Sequence, residues 1–167
     1  MMRILFLANH EETIFHFRLE LIETLIKQGY EVFVSVPEGK YKHDIEACGA
    51  KEIDIKVDQH GTNPVKDLLL AHRYTKLINK IKPDVVLTYT VKPNIYGGYA
   101  CAKKGVPCIG TITGLGKAFE KEGFLKQITS VLYKCGVKKD RVVFFQNSEQ
   151  RDQFVRKGII RNNSKIV

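Results

Sequence analysis

Short apolar runs of strand length recur along this chain, separated by segments whose apolar residues return every three to four positions, and that alternation is the pattern of a βαβ chain. Arg3 to Asn9 is a near-continuous apolar run and Glu31 to Val36 another, as expected of parallel strands covered on both faces. Between them, Phe15 to Gln28 spaces Leu21, Ile22, Leu25 and Ile26 as one helix face and stops at Gly29. A helix over Lys42 to Cys48 stops at Gly49 and leads into a weaker strand, Glu52 to Val57. Gln59 to Asn63 reads as a polar loop, and Pro64 opens a long helix to about Ile81, with Leu68, Leu69, Tyr74, Leu77 and Ile78 on its buried side. After Pro83 come a strand at Asp84 to Tyr89, a helix at Asn94 to Lys104 and a strand at Cys108 to Thr113. A helical pattern at Phe124 to Cys135, a strand at Arg141 to Gln146 and a short helix from Ser148, read as its N-cap, complete the series. The six strands predict an open, doubly wound, mainly parallel α/β sheet of Rossmann type, and Ser164 to Val167 read as the start of one more strand.

Composition narrows the setting. A length of 167 residues suits one domain, and 44% hydrophobic with 27% charged residues is a globular balance. Cys48, Cys101, Cys108 and Cys135 are scattered, which speaks against a disulfide framework or a zinc site. With neither a signal-peptide pattern nor an apolar run of membrane-spanning length, the expectation is a cytoplasmic protein. The net charge of +9 is unevenly spread. Residues 1–60 hold 7 Lys and Arg against 11 Asp and Glu, and residues 61–167 hold 20 against 7, net +13. Such polarity draws an anionic partner to one side: nucleotide phosphates, an anionic headgroup or nucleic acid. Without an aromatic-rich strand face among the basic residues, nucleic acid is the weakest of these.

In a sheet of this kind ligands bind beyond the carboxyl ends of the strands, so the loops there are the places to search. They carry Asn9-His10-Glu11-Glu12, Thr88-Tyr89-Thr90-Val91-Lys92-Pro93-Asn94, Thr111-Ile112-Thr113-Gly114-Leu115-Gly116-Lys117 and Gln146-Asn147-Ser148. His10 suits a general base or a partner for a sugar hydroxyl, or a plain loop residue. Arg18 suits an anionic acceptor group, or pairing with Glu11 or Glu12. Lys92, beside Pro93 and the cap-like Asn94, combines a cation with a helix start, which is either an anion site or a surface lysine. Gly114 and Gly116 make either a backbone nest for an oxyanion or a tight turn. Phe119 stands where a dinucleotide fingerprint needs its third glycine, and no P-loop or nucleophile elbow occurs. Gly97 and Gly98 suit close packing inside a helix, and Cys101 and Cys108 suit buried apolar roles. The segment Phe124 to Cys135, flanked by lysines, is either a core helix or a surface for an anionic membrane.

Taken together, Phe17-Arg18, Thr88 to Gly97 with its Lys92-Pro93-Asn94, Ile112 to Gly116, and Phe144-Phe145-Gln146-Asn147 resemble the N-terminal domain of family 4 glycosyltransferases of the bacterial capsular and exopolysaccharide type. The resemblance covers essentially residues 1–167. It implies one half of a GT-B enzyme that transfers a sugar, with retention and without a required metal or other cofactor. The donor is a nucleotide-sugar, and the acceptor a glycan or a lipid-linked sugar at the inner face of the cell membrane. It further implies that this half receives the acceptor, that a donor-nucleotide domain lies outside this chain, and that this half alone is inactive. By resemblance, Lys92 takes the catalytic role, Asn94 touches acceptor, Thr113, Gly114 and Gly116 offer backbone contacts, and Arg18 and Asn147 give polar support. Two rivals remain: a sugar-nucleotide epimerase of the same two-domain fold, which would use Glu11 and Glu12, and a stand-alone nucleotide-binding or regulatory module.

Overall fold

A computed structural model describes residues 1–58, 63–114, 124–137, 140–160 and 165–166. Among these, seven strands form one parallel sheet: β1 (Arg3–Leu7), β2 (Glu31–Val36), β3 (Lys51–Asp54), β4 (Val85–Tyr89), β5 (Cys108–Ile112), β6 (Val142–Phe145) and β7 (Lys165–Ile166). Their order is β3-β2-β1-β4-β5-β6-β7. Ile4 stands opposite Val32 on one side and Val85 on the other, so β1 is central. The chain therefore reverses its direction of travel across the sheet between β1 and β4, which is the topological switch point of an open α/β fold.

Strand pleating divides the core. Ile4, Phe6 and Ala8 pack with Val32, Val34 and Val36 against α1 (Glu11–Lys27) and α2 (Lys42–Ala47), through Ile14, Ile22 and Ile45. Leu5, Leu7 and Val86 point the other way, onto α3 (Pro64–Ile81) and α4 (Gly98–Lys104) through Leu70, Tyr74, Ile78 and Cys101. A third cluster joins Ile112 and Val143 to Tyr133 and Val137 of α5 (Phe124–Val137) and Phe154 of α6 (Ser148–Arg156).

Several expected boundaries and faces shift. Helix α1 begins at Glu11, four residues before the apolar pattern does: Glu11 holds the loop after β2 through the Tyr41 amide, and Ile14 already reaches the core. Leu68 and Leu69 are 73% and 48% exposed; α3 is buried instead through Leu70, Ala71, Tyr74, Leu77, Ile78 and Ile81. Helix α3 starts where Asn63 accepts from the amides of Val65 and Lys66, and it ends on Lys82 in the left-handed conformation (φ 52°) ahead of Pro83. The cap of α6 is Asn147, which accepts from the Gln150 amide at 2.9 Å, and not Ser148. The helix after β4 opens with a π-type turn at Pro93–Gly97, one residue ahead of the expected start at Asn94.

Glycines set the packing of that turn. A Cβ on Gly97 would stand 2.8 Å from the Leu7 side chain, and one on Gly98 would stand 2.6 Å from the carbonyl of Gly136 in α5. One on Gly136 would meet the Asn94 carbonyl at 2.5 Å. The expected close approach at Gly97 and Gly98 is therefore real: Gly97 lies on the sheet and Gly98 against α5.

Candidate functional site

All strands run the same way, so the loops after them share one edge, and the switch point sits between Asn9 and Thr90. The Asn9 amide donates to Thr90 Oγ1 at 3.2 Å, joining the two loops. Thr90 also donates to the carbonyl of Tyr89 and holds φ at 67°. A β-branched residue in the left-handed region is costly, and such outliers cluster at functional sites. Nothing in the sequence flags Thr90, since no glycine or asparagine marks the turn.

Arg18 reaches this crevice from α1. Its guanidinium carbon lies 4.7 Å from the centre of the Tyr89 ring, and Nη1 donates to the Phe17 carbonyl at 2.7 Å. Burial pushes the Tyr89 hydroxyl up to about 12, and the Arg18 charge acts against that rise. Among the described residues Arg18 pairs with neither Glu11 nor Glu12, and its Nε has no partner. Glu11 serves elsewhere: it is 3% exposed and accepts from the Tyr41 amide at 2.8 Å, holding the loop after β2. Glu52 lies near it. Burial, and then the Glu11 charge, raise the Glu52 carboxyl to about 7.

The remaining residues fall in three places. His10 is half-buried at the start of α1 and makes no side-chain cap bond. Thr113 and Gly114 are partly exposed at the end of β5, and among the described residues nothing lies within 4 Å of where a Gly114 Cβ would stand. Gly116 lies outside the described residues. Asn147 is exposed at the rim, its side-chain oxygen engaged as the cap of α6.

Lys92 and Asn94 are both more buried than a surface cap would be. Asn94 is fully buried: its Nδ2 donates to the Thr111 carbonyl at 2.9 Å and its Oδ1 accepts from Thr88 Oγ1 at 2.7 Å. The side chain thus ties the π-type turn to β4 and β5 from beneath the rim. Lys92 is 9% exposed, and its Nζ lies 2.6 Å from Asp67 Oδ1 of α3. Tyr96 donates to the other Asp67 oxygen at 3.0 Å. This triad borders a groove of about 610 Å³ between α3, α4 and α5. Its remaining wall is mostly apolar, with Leu68, Ala71, Val91, Ile95, Tyr99 and Leu132.

A parallel sheet with a crevice at its switch point and no glycine-rich first turn is shared by several enzyme families, and sequence comparison decides among them. Residues 3–147 match the glycosyl transferase 4-like family. The chain belongs to that family. It is 28% identical, over 99% of its length, to the N,N'-diacetylbacillosaminyl-diphospho-undecaprenol alpha-1,3-N-acetylgalactosaminyltransferase of Campylobacter jejuni, and covers 45% of that protein. Among solved structures, a glycosyltransferase from Rickettsia africae aligns with a TM-score of 0.70 at 16% identity, over 99% of this chain and 42% of that one. The UDP-GlcNAc 2-epimerase of Methanocaldococcus jannaschii aligns with a TM-score of 0.63 at 18% identity, over 100% and 45%. These likenesses establish the fold of this glycosyl transferase 4-like chain, which spans less than half the length of each of the three.

Proposed function

We propose that this chain is the acceptor-side half of a glycosyltransferase that moves a sugar, with retention, from a nucleotide-sugar to a polyprenyl-diphosphate-linked glycan at the inner face of a membrane. The likeness across 99% of the chain to an enzyme whose name specifies a diphospho-undecaprenol acceptor carries this reading. The crevice between Asn9 and Thr90 supplies its geometry. There, among the described residues, no carboxylate engages the Arg18 donors and nothing covers the Thr113–Gly114 backbone, and Thr90 is held in a strained turn. Departure of a nucleotide diphosphate develops negative charge, which fixed cations stabilise most effectively when water is excluded. Lys92 provides one such cation. A diphosphate carries more charge than the Asp67 carboxylate, so the ammonium is shared between them when phosphate arrives. In this reading no metal is needed, the donor nucleotide is held by a second domain, and His10 and Asn147 give polar support at the rim.

The epimerase rival requires free carboxylates at the crevice. Glu11 is buried and committed to the Tyr41 amide, which leaves only the exposed Glu12. The peripheral membrane contact is proposed for the exposed Val65 of α3 and Val131 of α5, which lie outside the groove lining. Among the described residues, no helix is long and apolar enough to cross a bilayer.

The test is transfer by the full-length protein from a panel of radiolabelled nucleotide-sugars to a short-chain polyprenyl-diphosphate sugar, with excess chelator present. Transfer is expected, with the anomeric configuration of the donor kept and with about a hundredfold loss of kcat/KM in Arg18→Ala, given the strength of charged hydrogen bonds to phosphate. Epimerised donor in place of a transferred product would overturn the proposal.

A further inference from the structure

The groove beside Lys92 holds more than the transfer chemistry needs. We propose that it receives the first isoprene units of the acceptor's polyprenyl chain while the attached diphosphate lies at the rim. This inference rests on the acceptor reading given above and assigns a place to the part of that acceptor which does not react.

Three observations carry it. The first is shape and its cause. Backbone contact at Gly98 and Gly136 pins the last turn of α5 to α4, while Leu132 and Ile128, one and two turns earlier, line a groove across from Leu68 and Ala71 of α3. At about 610 Å³ the space falls in the range of roughly 300 to 1,000 Å³ typical of cavities that enclose a small apolar ligand. A bilayer surface would rest on a convex patch, whereas a concave slot admits a chain.

The second is charge. Among the described residues of the lining the charged side chains are Lys92 and Asp67, which pair at 2.6 Å when no phosphate is near and leave the wall without net charge, so the interior suits an uncharged chain. The surrounding sequence, residues 61–167, carries net +13, which suits an anionic head. An amphiphile with an apolar tail and a diphosphate end matches both.

The third is continuity. Val91 and Lys92 of the groove wall follow Thr90 of the crevice directly in the chain, so a diphosphate at the rim has the groove mouth next to it. The 73% exposure of Leu68 contradicts its expected core packing, and with the 40% exposure of Ile128 it fits the lip of a slot.

Cys135 lines the groove and is exposed, whereas Cys48, the other partly accessible thiol, lies on α2 at the far side of the sheet. In the full-length enzyme, saturating farnesyl diphosphate is expected to slow alkylation of Cys135 about tenfold and to leave Cys48 unchanged; inorganic diphosphate and vesicles of anionic phospholipid are expected to leave both unchanged. Leu68→Asp and Ile128→Asp alter exposed positions that the fold tolerates. Each is expected to raise KM for a long-chain polyprenyl-diphosphate acceptor about tenfold while leaving KM for an acceptor cut to a single isoprene unit unchanged, the loss of a few buried methylenes. Equal protection of Cys135 by plain vesicles, or the same KM change for both acceptors, would overturn the inference while leaving the acceptor reading intact. If no polyprenyl-diphosphate sugar accepts a sugar at all, the acceptor reading fails first and takes this inference with it.

Discussion

Replacing Lys92 by methionine removes the cation that faces Asp67 across the wall of the groove. The two side chains retain only 11% and 14% of their exposure, and afterwards the carboxylate keeps, among the described residues, just the Tyr96 hydroxyl at 3.0 Å. Breaking a buried pair costs about 3 to 5 kcal/mol, because the surviving charge is left without compensation. The groove opens to water, so the lower end applies here, about 3 kcal/mol. For a domain of this size each kcal/mol shifts Tm by roughly 2 to 4 °C, which places the drop near 6 to 12 °C. Adding Asp67→Asn removes the stranded charge, and the double variant is expected to regain most of the loss. Thermal unfolding followed by circular dichroism, on the wild type, both single variants and the double, closes the cycle. A Lys92→Met shift below about 2 °C, or a double variant no better than the single, would refute the claim that this pair is a structural unit of the groove as well as a source of charge.

Three further outcomes follow from the same geometry. Asn94→Ala strands the Thr88 hydroxyl and the Thr111 carbonyl beneath the rim and is expected to cost about 2 to 3 kcal/mol in urea unfolding, where a loss under about 0.5 kcal/mol would contradict the tie between β4, β5 and the π-type turn. Gly136→Ala forces a methyl group into the Asn94 carbonyl and is expected to lose about 1 to 3 kcal/mol in the same assay; an unchanged midpoint would place α5 farther from the turn. Burial raises the Asp140 carboxyl to about 7, with the nearby Cys108 thiol acting the other way. The folded state therefore holds this proton more tightly than the unfolded chain, so its stabilising contribution is complete below about pH 4 and is lost as pH rises to about 7. Asp140→Asn is expected to flatten the stability profile across that window by up to about 1.4 kcal/mol per pH unit and to raise stability at pH 8, and an unaltered profile would count against the burial.

What the sequence made legible, and what it hid, divides along the range of the interactions. The strands are continuous apolar runs, and Gly97 and Gly98 can be read from helical spacing, because each signal is local. Lys92 draws attention as a cation beside Pro93, but its partner Asp67 lies 25 residues away on another helix, and no local pattern announces the pair. Asn94 looks like a cap because caps are asparagine-rich, yet tertiary contact with Thr88 and Thr111 claims both ends of its amide. Asn147 and Ser148 are both good caps, and backbone conformation alone chooses between them: Asn147 is extended, at φ −148°. Leu68 and Leu69 extend the apolar face of α3 beyond what the sheet covers, and hydropathy cannot distinguish a core position from the lip of a groove. Thr90 is invisible in sequence because its strained turn is imposed by the packing on either side of it.

The central claim is that the crevice between the first and fourth strands receives the acceptor. Hydrogen exchange on the full-length enzyme tests this most directly, comparing a polyprenyl-diphosphate sugar with the nucleotide-sugar donor. The acceptor is expected to slow exchange at the amides of Asn9, His10, Thr90, Thr113 and Gly114, and the donor alone to leave them unchanged. Bound acceptor with no slowing at these amides, or slowing there by the donor in its place, would contradict it.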